Sequence, residues 1–278
     1  MVKLGRYATL EVVKVVDFGV YLNGNDFGQV LLPRKHQPKD CQVGDKVRVF
    51  LYLDSNDVIV ATTQRPRAQV GEFANLKVIA NNKVGAFLDW GLDKDLLLPF
   101  SEQKRPAEEG RSQIVYVHVN HADERIMASA KIDRFLDKEP ANYANGEEVN
   151  LIIAEKTELG FKAIINSAHW GVVFRNEVFQ PLHYGQKLKG FIKQVRADGK
   201  IDLVLQKSGK QELDKYANTI LIKLKQADGF LPLTDKTDAE LIYETLSMSK
   251  KAFKKTIGGL FKKQLITIQS DGIKINSL

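Results

Sequence analysis

Residues 5–62 and 71–128 of this chain lie over each other without a gap: Gly19 meets Gly85, Gly44 meets Gly110, and Leu31-Leu32-Pro33 meets Leu97-Leu98-Pro99, all at an offset of 66. A looser third copy follows at an offset of 75, carrying Gly85 onto Gly160 and Gly110 onto Gly185. Repetition constrains architecture before any single motif does. A repeat of this length is too long for the helical units of a solenoid and suits a small autonomous β domain used several times.

Each copy reads as five short strands. In the first, Thr9-Leu10-Glu11-Val12-Val13-Lys14-Val15-Val16 is β-branched and partly alternating, and it runs through Asp17-Phe18-Gly19 into Val20-Tyr21-Leu22, a long strand bending at a glycine. Asn23-Gly24 supplies a turn. A third strand ends at Leu31-Leu32-Pro33, a basic loop covers 34–40, and Val43-Gly44-Asp45 introduces the alternating stretch 46–53, which turns at 54–57 into 58–62. This inventory predicts an OB-type barrel, whose closure removes most exposed sheet edges. From about Lys210 the period becomes helical, with apolar residues at 213, 216, 217, 220, 221 and 224. Thr237-Asp238-Ala239-Glu240 predicts a helix through Leu246 capped by Thr237. Ser249 is placed to cap a basic helix over 250–263, and a hairpin around Ser270-Asp271-Gly272 follows. Helix, turn, basic helix and wing predict a winged helix. The expected fold class is mainly β with a C-terminal α+β domain: three tandem OB-fold barrels at 1–66, 67–134 and 144–208, then a winged-helix domain at 211–278.

A net charge of +7 and a pI near 9.2 favour a polyanionic partner. The longest apolar runs are far short of a membrane span, and Met1-Val2-Lys3-Leu4-Gly5-Arg6 does not lead into a secretory signal. No membrane association is expected, and the cytoplasm is the default. The lone cysteine, Cys41, can form no internal disulfide, in keeping with a reducing compartment. His36, His169 and His183 are scattered, and there is no glycine-rich phosphate loop. His118 with His121-Ala122-Asp123-Glu124-Arg125 sits at a predicted hairpin turn and reads as a solvated turn, because no distal acidic cluster completes a metal site. The expectation is a non-catalytic protein with no metal and no cofactor.

Phe18-Gly19-Val20-Tyr21-Leu22 and Gly85-Ala86-Phe87-Leu88, each after a strand, and Val43-Gly44-Asp45 before the fourth strand, resemble the S1 domain, the RNA-binding OB-fold of ribosomes and RNA enzymes. The resemblance covers 1–62 and 70–131 and weakens over 144–206. It implies an RNA face built from aromatics flanking the glycine, a third-strand histidine, and a basic or polar residue near strands four and five. Phe18 and Tyr21 match the aromatic pair in the first copy; the second keeps Phe87 but has Val84 at the other position. In the third, Leu159 and Lys162 replace both, with Phe161 one residue out of step, and Leu-Leu-Pro occupies the histidine region in copies one and two. Arg34, Lys35, Lys83 and Arg125 are either phosphate contacts or solvated surface. Phe50 and Tyr52 are either core or outer-face residues.

Lys250, Lys251, Lys254, Lys255, Lys262 and Lys263 have no acidic residue between them and sit over an apolar stripe of Phe253, Ile257, Leu260 and Phe261. Lysine without arginine points to phosphate contact more than base readout. Three S1-like barrels and this tail, Met248-Ser249-Lys250-Lys251-Ala252-Phe253-Lys254-Lys255 through Leu265-Ile266, together resemble the conserved virulence factor B family of bacterial RNA-binding regulators. That resemblance implies binding of RNA, mostly single-stranded, linked to control of gene expression. The alternatives are a DNA-binding transcriptional regulator led by the winged helix, and a ribosome or polymerase accessory protein that binds mainly protein.

Overall fold

The computed structural model describes residues 2–120, 122–178, 180–206 and 210–276, with the side chains of 210–215 outside the description. Two compact units divide the chain, Met1–Lys138 and Glu139–Leu278. The first unit opens with β1 (Tyr7–Val16), β2 (Gly19–Asn23), β3 (Gln29–Pro33), β4 (Lys46–Leu53) and β5 (Ile59–Thr62). β1 is long enough to pair with β2 through one half and β4 through the other, and a parallel β3–β5 pairing closes the barrel. Strand alternation sends Leu10, Val12, Val20, Leu22, Val30, Leu32, Val47, Val49 and Leu51 inward as one core.

The second barrel repeats the order with β6 (Phe73–Asn81), β7 (Gly85–Leu88), β8 (Leu96–Pro99), β9 (Ser112–Val119) and β10 (Ile126–Ser129). β8 and β10 lie side by side at its seam without the parallel ladder that closes the first barrel. In the second unit, β11 (Glu148–Lys156), β12 (Gly160–Ile165), β13 (His169–Phe174), β14 (Lys187–Val195) and β15 (Ile201–Val204) form a third, closed barrel.

The repeat recurs in backbone detail. The long first strand bulges between Val12 and Lys14, between Val78 and Ala80, and between Ile153 and Glu155. Below each bulge a glycine N–H donates to the strand carbonyl: Gly44 to Val12 at 2.9 Å, Gly110 to Val78 at 2.9 Å and Gly185 to Ile153 at 2.7 Å. The second strand always starts on a glycine facing the last residue of the third, Gly19 to Pro33, Gly85 to Pro99 and Gly160 to Phe174. A Cβ there would lie 2.3 Å from the Leu32 carbonyl oxygen, 2.3 Å from that of Leu98 and 2.1 Å from that of Val173, with φ at +156°, +154° and +150°. Only glycine fits such a close backbone approach.

The C-terminal domain carries α1 (Lys210–Gln226), β16 (Phe230–Leu231), α2 (Ala239–Leu246), α3 (Lys250–Lys262), β17 (Ile266–Ile268) and β18 (Ile273–Ile275). Its core gathers Ile220, Leu224, Ile242, Leu246, Met248, Phe253, Ile257 and Leu260 with the wing residues Ile266 and Ile273. Ser249 caps α3 as expected, its hydroxyl accepting from the Ala252 N–H at 2.9 Å. Thr237 does not cap α2. The cap is Asp238, while the Thr237 hydroxyl accepts from the Thr234 N–H at 2.8 Å in the preceding turn. Phe261 is exposed, unlike the rest of its proposed stripe, because Phe253, Ile257 and Leu260 already fill the inward arc of α3. β16 adds a two-residue strand to the wing that its length hid from pattern reading.

Gly85→Ala should cost the second barrel roughly 3 kcal/mol or more, from backbone strain plus the clash. Gly110→Ala, with φ at +81° but nothing within 4 Å of the added methyl, should cost only about 1–2 kcal/mol. Urea unfolding followed by Trp90 fluorescence in a Trp170→Phe background measures both; equal losses would show that the close approach is not what holds the register.

Candidate nucleic-acid interface

In the first barrel the glycine approach sets the outer edge. Phe18, one residue before it, is 57% exposed, and Tyr21, two residues after it, is half-buried with its ring edge-on to Phe18 at 6.4 Å. The Arg34 N–H donates to the Phe18 carbonyl at 2.9 Å and its guanidinium to the Asp17 carbonyl at 3.3 Å, which holds a cation beside the aromatic pair. Of the four residues the sequence singles out in barrel one, Phe18, Tyr21 and Arg34 lie together on this edge.

Lys35 and Arg125 are placed differently. Both tie the first two barrels together: Lys35 pairs with Asp93 and Arg125 with Asp57. Buried His36 places Nε2 2.9 Å from Asp93, Gln64 donates to the same carboxylate at 3.0 Å, and Lys94 donates to the Asp54 carbonyl at 2.6 Å. Phe50 and Tyr52 point out of their own barrel and are buried against the second one, Phe50 meeting Trp90 edge-on at 5.6 Å. The Trp90 indole N–H donates to the Ala68 carbonyl at 2.7 Å. The Tyr52 phenol is pushed up to about 12 by burial, with Asp93 and Asp54 adding to the effect.

The second barrel's edge is apolar. Phe87 is half-buried beside exposed Val84, and Phe100 takes the place of Arg34, its N–H donating to the Val84 carbonyl at 3.3 Å and its ring 56% exposed. Lys83 is exposed on the neighbouring turn. His118 is half-buried beneath stacked Tyr116 and Phe135, and His121 lies outside the described residues. Among the described residues no cluster of His, Cys, Asp and Glu is placed to hold a metal ion.

In the third barrel Leu159 stands exposed where Phe18 stands in the first, and Lys162 replaces Tyr21. Phe161 falls on the inward side of β12 and packs against the barrel core, so it is not part of the outer face. The aromatic residues of that face lie on β13. Lys162 Nζ is 3.8 Å from the ring centre of Trp170, and the Arg196 guanidinium is 5.5 Å from that of Phe174. Asp202, 4% exposed, accepts from Arg196 Nε at 2.9 Å and from Gln194 at 2.7 Å.

The α3 lysines divide. Lys254 pairs with Asp235 at 3.3 Å; Lys250 and Lys251 line a cleft of about 840 Å³ with Arg175, Tyr243 and the carboxylates of Asp238, Glu240 and Glu244. Lys255, Lys262 and Lys263 are exposed. The carboxylates near the first three lie on neighbouring elements, so the run without acids in sequence is partly offset in space.

A family model for the S1 domain matches residues 4–64 and 70–131, and one for the CvfB-like winged helix domain matches 218–275. The chain thus carries two S1 domains and a CvfB-like winged helix domain. Its relatives include conserved virulence factor B of Staphylococcus saprophyticus, 23% identical over 98% of this chain and 94% of the relative, and the uncharacterized protein YitL of Bacillus subtilis, 26% identical over 93% and 89%. A crystal structure of a multidomain protein with nucleic acid binding domains from Streptococcus pneumoniae is 22% identical, with 98% of each chain covered and a TM-score of 0.43. Neither matched domain is a catalytic one. No helix among the described residues is long and apolar enough to cross a membrane. Phe100, Trp170, Phe174 and Arg196 escaped the sequence reading. The signal for Phe174 was present, since the repeat register places it on Pro33 and Pro99.

The Lys35 ammonium, with His36 and Gln64, holds the Asp93 carboxyl at about 2 against an ordinary 3.8, overriding burial. A carboxylate depressed in the folded state stabilises fully above its ordinary value, and that stabilisation is lost as pH falls through the folded one. Asp93→Asn should therefore cost about 0.5–1 kcal/mol at pH 7, since the pair is well exposed to solvent. Thermal melts of the variant and parent should differ above pH 3.8 and converge as pH approaches 2.

Proposed function

We propose that this chain is a non-catalytic RNA-binding protein, a post-transcriptional or expression regulator, whose barrels take mostly single-stranded RNA while the winged helix adds phosphate contacts. The four modules of this reading are residues 1–66, 67–134, 144–208 and 211–278. The observation that carries it is the first barrel's edge: Phe18 exposed, Tyr21 edge-on to it and Arg34 tethered alongside. Unpaired bases stack on exposed aromatic rings and on guanidinium planes, and stacking of this kind tolerates sequence variation. The lysine-only face of α3 suits a charged backbone, because lysine acts as a point charge on phosphate where arginine reads guanine. A cytoplasmic setting belongs to the same reading. The lone thiol, Cys41, is buried and its pKa is raised by that burial, which makes it inert.

Competition binding of the full chain to single-stranded RNA, duplex RNA and duplex DNA at about 50 and 200 mM salt should rank single-stranded RNA first. A preference for duplex DNA would instead make the winged helix the leading element of a transcriptional regulator. Phe18→Ala should weaken RNA binding by roughly 1–3 kcal/mol. Lys255→Gln with Lys262→Gln should lower the salt slope by about 0.7 for each phosphate that is no longer neutralised.

A further inference from the structure

We propose that the outer face of the second barrel is a self-association surface, which takes the same face of a second copy of this chain across a two-fold axis. The proposal goes beyond the nucleic-acid reading above and can fail without it.

Strand register defines the face. Ala80 on β6 pairs with Phe87 on β7, and Phe87 pairs with Leu97 on β8. Ala86, Leu88, Leu96 and Leu98 belong to the core, so alternation turns Phe87 and Leu97 outward. Val84 and Phe100 extend the face past the glycine, joined by the Phe100 N–H that donates to the Val84 carbonyl at 3.3 Å, and both are more than half exposed. The first barrel has Lys14, Tyr21, Leu31, Phe18 and Arg34 at these five places. The third has Glu155, Lys162, Val172, Leu159 and Arg175. Each of those faces keeps two cations, whereas all five positions of the second are apolar. A contiguous exposed apolar surface rimmed by charge marks a site of protein contact. In a chain of net charge +7, a face stripped of cations is also where two copies meet with least repulsion.

The rim says what the partner is. Exposed Lys83 stands next to Val84 at the Phe100 end of the strip, and exposed Asp95 precedes Leu96 at the other end, roughly 17 Å away along β8. Among the described residues no ion pair engages Lys83 or Asp95. Burial and the neighbouring Asp89 charge push the Asp95 carboxyl up, and Asp89 itself is paired with Arg67, so Asp95 is a carboxylate short of a cation. An isologous two-fold contact sets each end of the strip against the opposite end of its copy. Lys83 then meets Asp95 of the second copy, twice over, with Phe87, Leu97 and Phe100 covered between them. Five side chains are far fewer than the roughly 20 residues per partner of a standard interface. The association is therefore weak and reversible.

The test is analytical ultracentrifugation of the full chain without nucleic acid, from about 5 to 500 μM. The parent's weight-average mass should rise from that of one 31.3 kDa chain toward that of two. Phe100→Arg restores the residue type of the first barrel at an exposed position. It should weaken association about 30-fold, because a two-fold contact counts it twice, and should leave the thermal midpoint unchanged. Lys83→Asp and Asp95→Lys should each weaken association alone, since each brings like charges together at both ends. Mixing those two variants should restore it, because each then offers the other opposite charges. Undiminished association in Phe100→Arg overturns the proposal, and so does a mixture that associates no better than its components. A parent that stays monomeric overturns it too; weaker binding of single-stranded oligouridine by Phe87→Leu would then give the face to RNA.

Discussion

The barrels depend on one close approach, that of the first residue of each second strand to the last carbonyls of the third. At Gly19, Gly85 and Gly160 a Cβ would sit within 2.3 Å of a backbone oxygen. The glycine lets the chain turn out of its long first strand and pair at once with the third, which closes the barrel and leaves the preceding residue on the rim. That constraint acts on backbone alone. Its neighbours can therefore vary freely, and Phe18, Val84 and Leu159 all occupy the same exposed position. The framework is kept while the contact surface changes from copy to copy.

Charge is distributed by the same logic of proximity. An attraction between unit charges at a few ångströms is worth far more than the same pair separated by a screening length. Lys35 and Arg125 are engaged by Asp93 and Asp57 at the junction of the first two barrels, and the third barrel matches Arg196 with Asp202. The net positive charge of the chain is thus unevenly available to a polyanion. Arg34 on the first barrel and Lys255 and Lys262 on α3 are exposed.

Much of this was legible in advance because it obeys local rules. Period-two alternation, the turn glycines and the repeat register located the barrel strands, and the Ser249 cap and the helical period located α3. Reading failed where the deciding partner was distant in sequence. Thr237 looks like a cap until Thr234 offers its N–H. Phe50 and Tyr52 read equally as core or as outer face until the second barrel buries their outward sides, Phe50 against Trp90. Phe161 looks like a shifted binding aromatic until strand parity turns it inward, a change of one residue that reverses the face.

By itself the sequence determined the number of barrels, their order and the basic helix at the end, because glycine geometry and hydrophobic period act between residues close along the chain. Only the tertiary structure decided which aromatics and cations stand on a surface. Whether Lys35 is bound to Asp93, or Arg196 held over Phe174, depends on strands brought together from different parts of the chain. A side chain's availability to a ligand is the remainder after those pairings are made, and no local pattern records them.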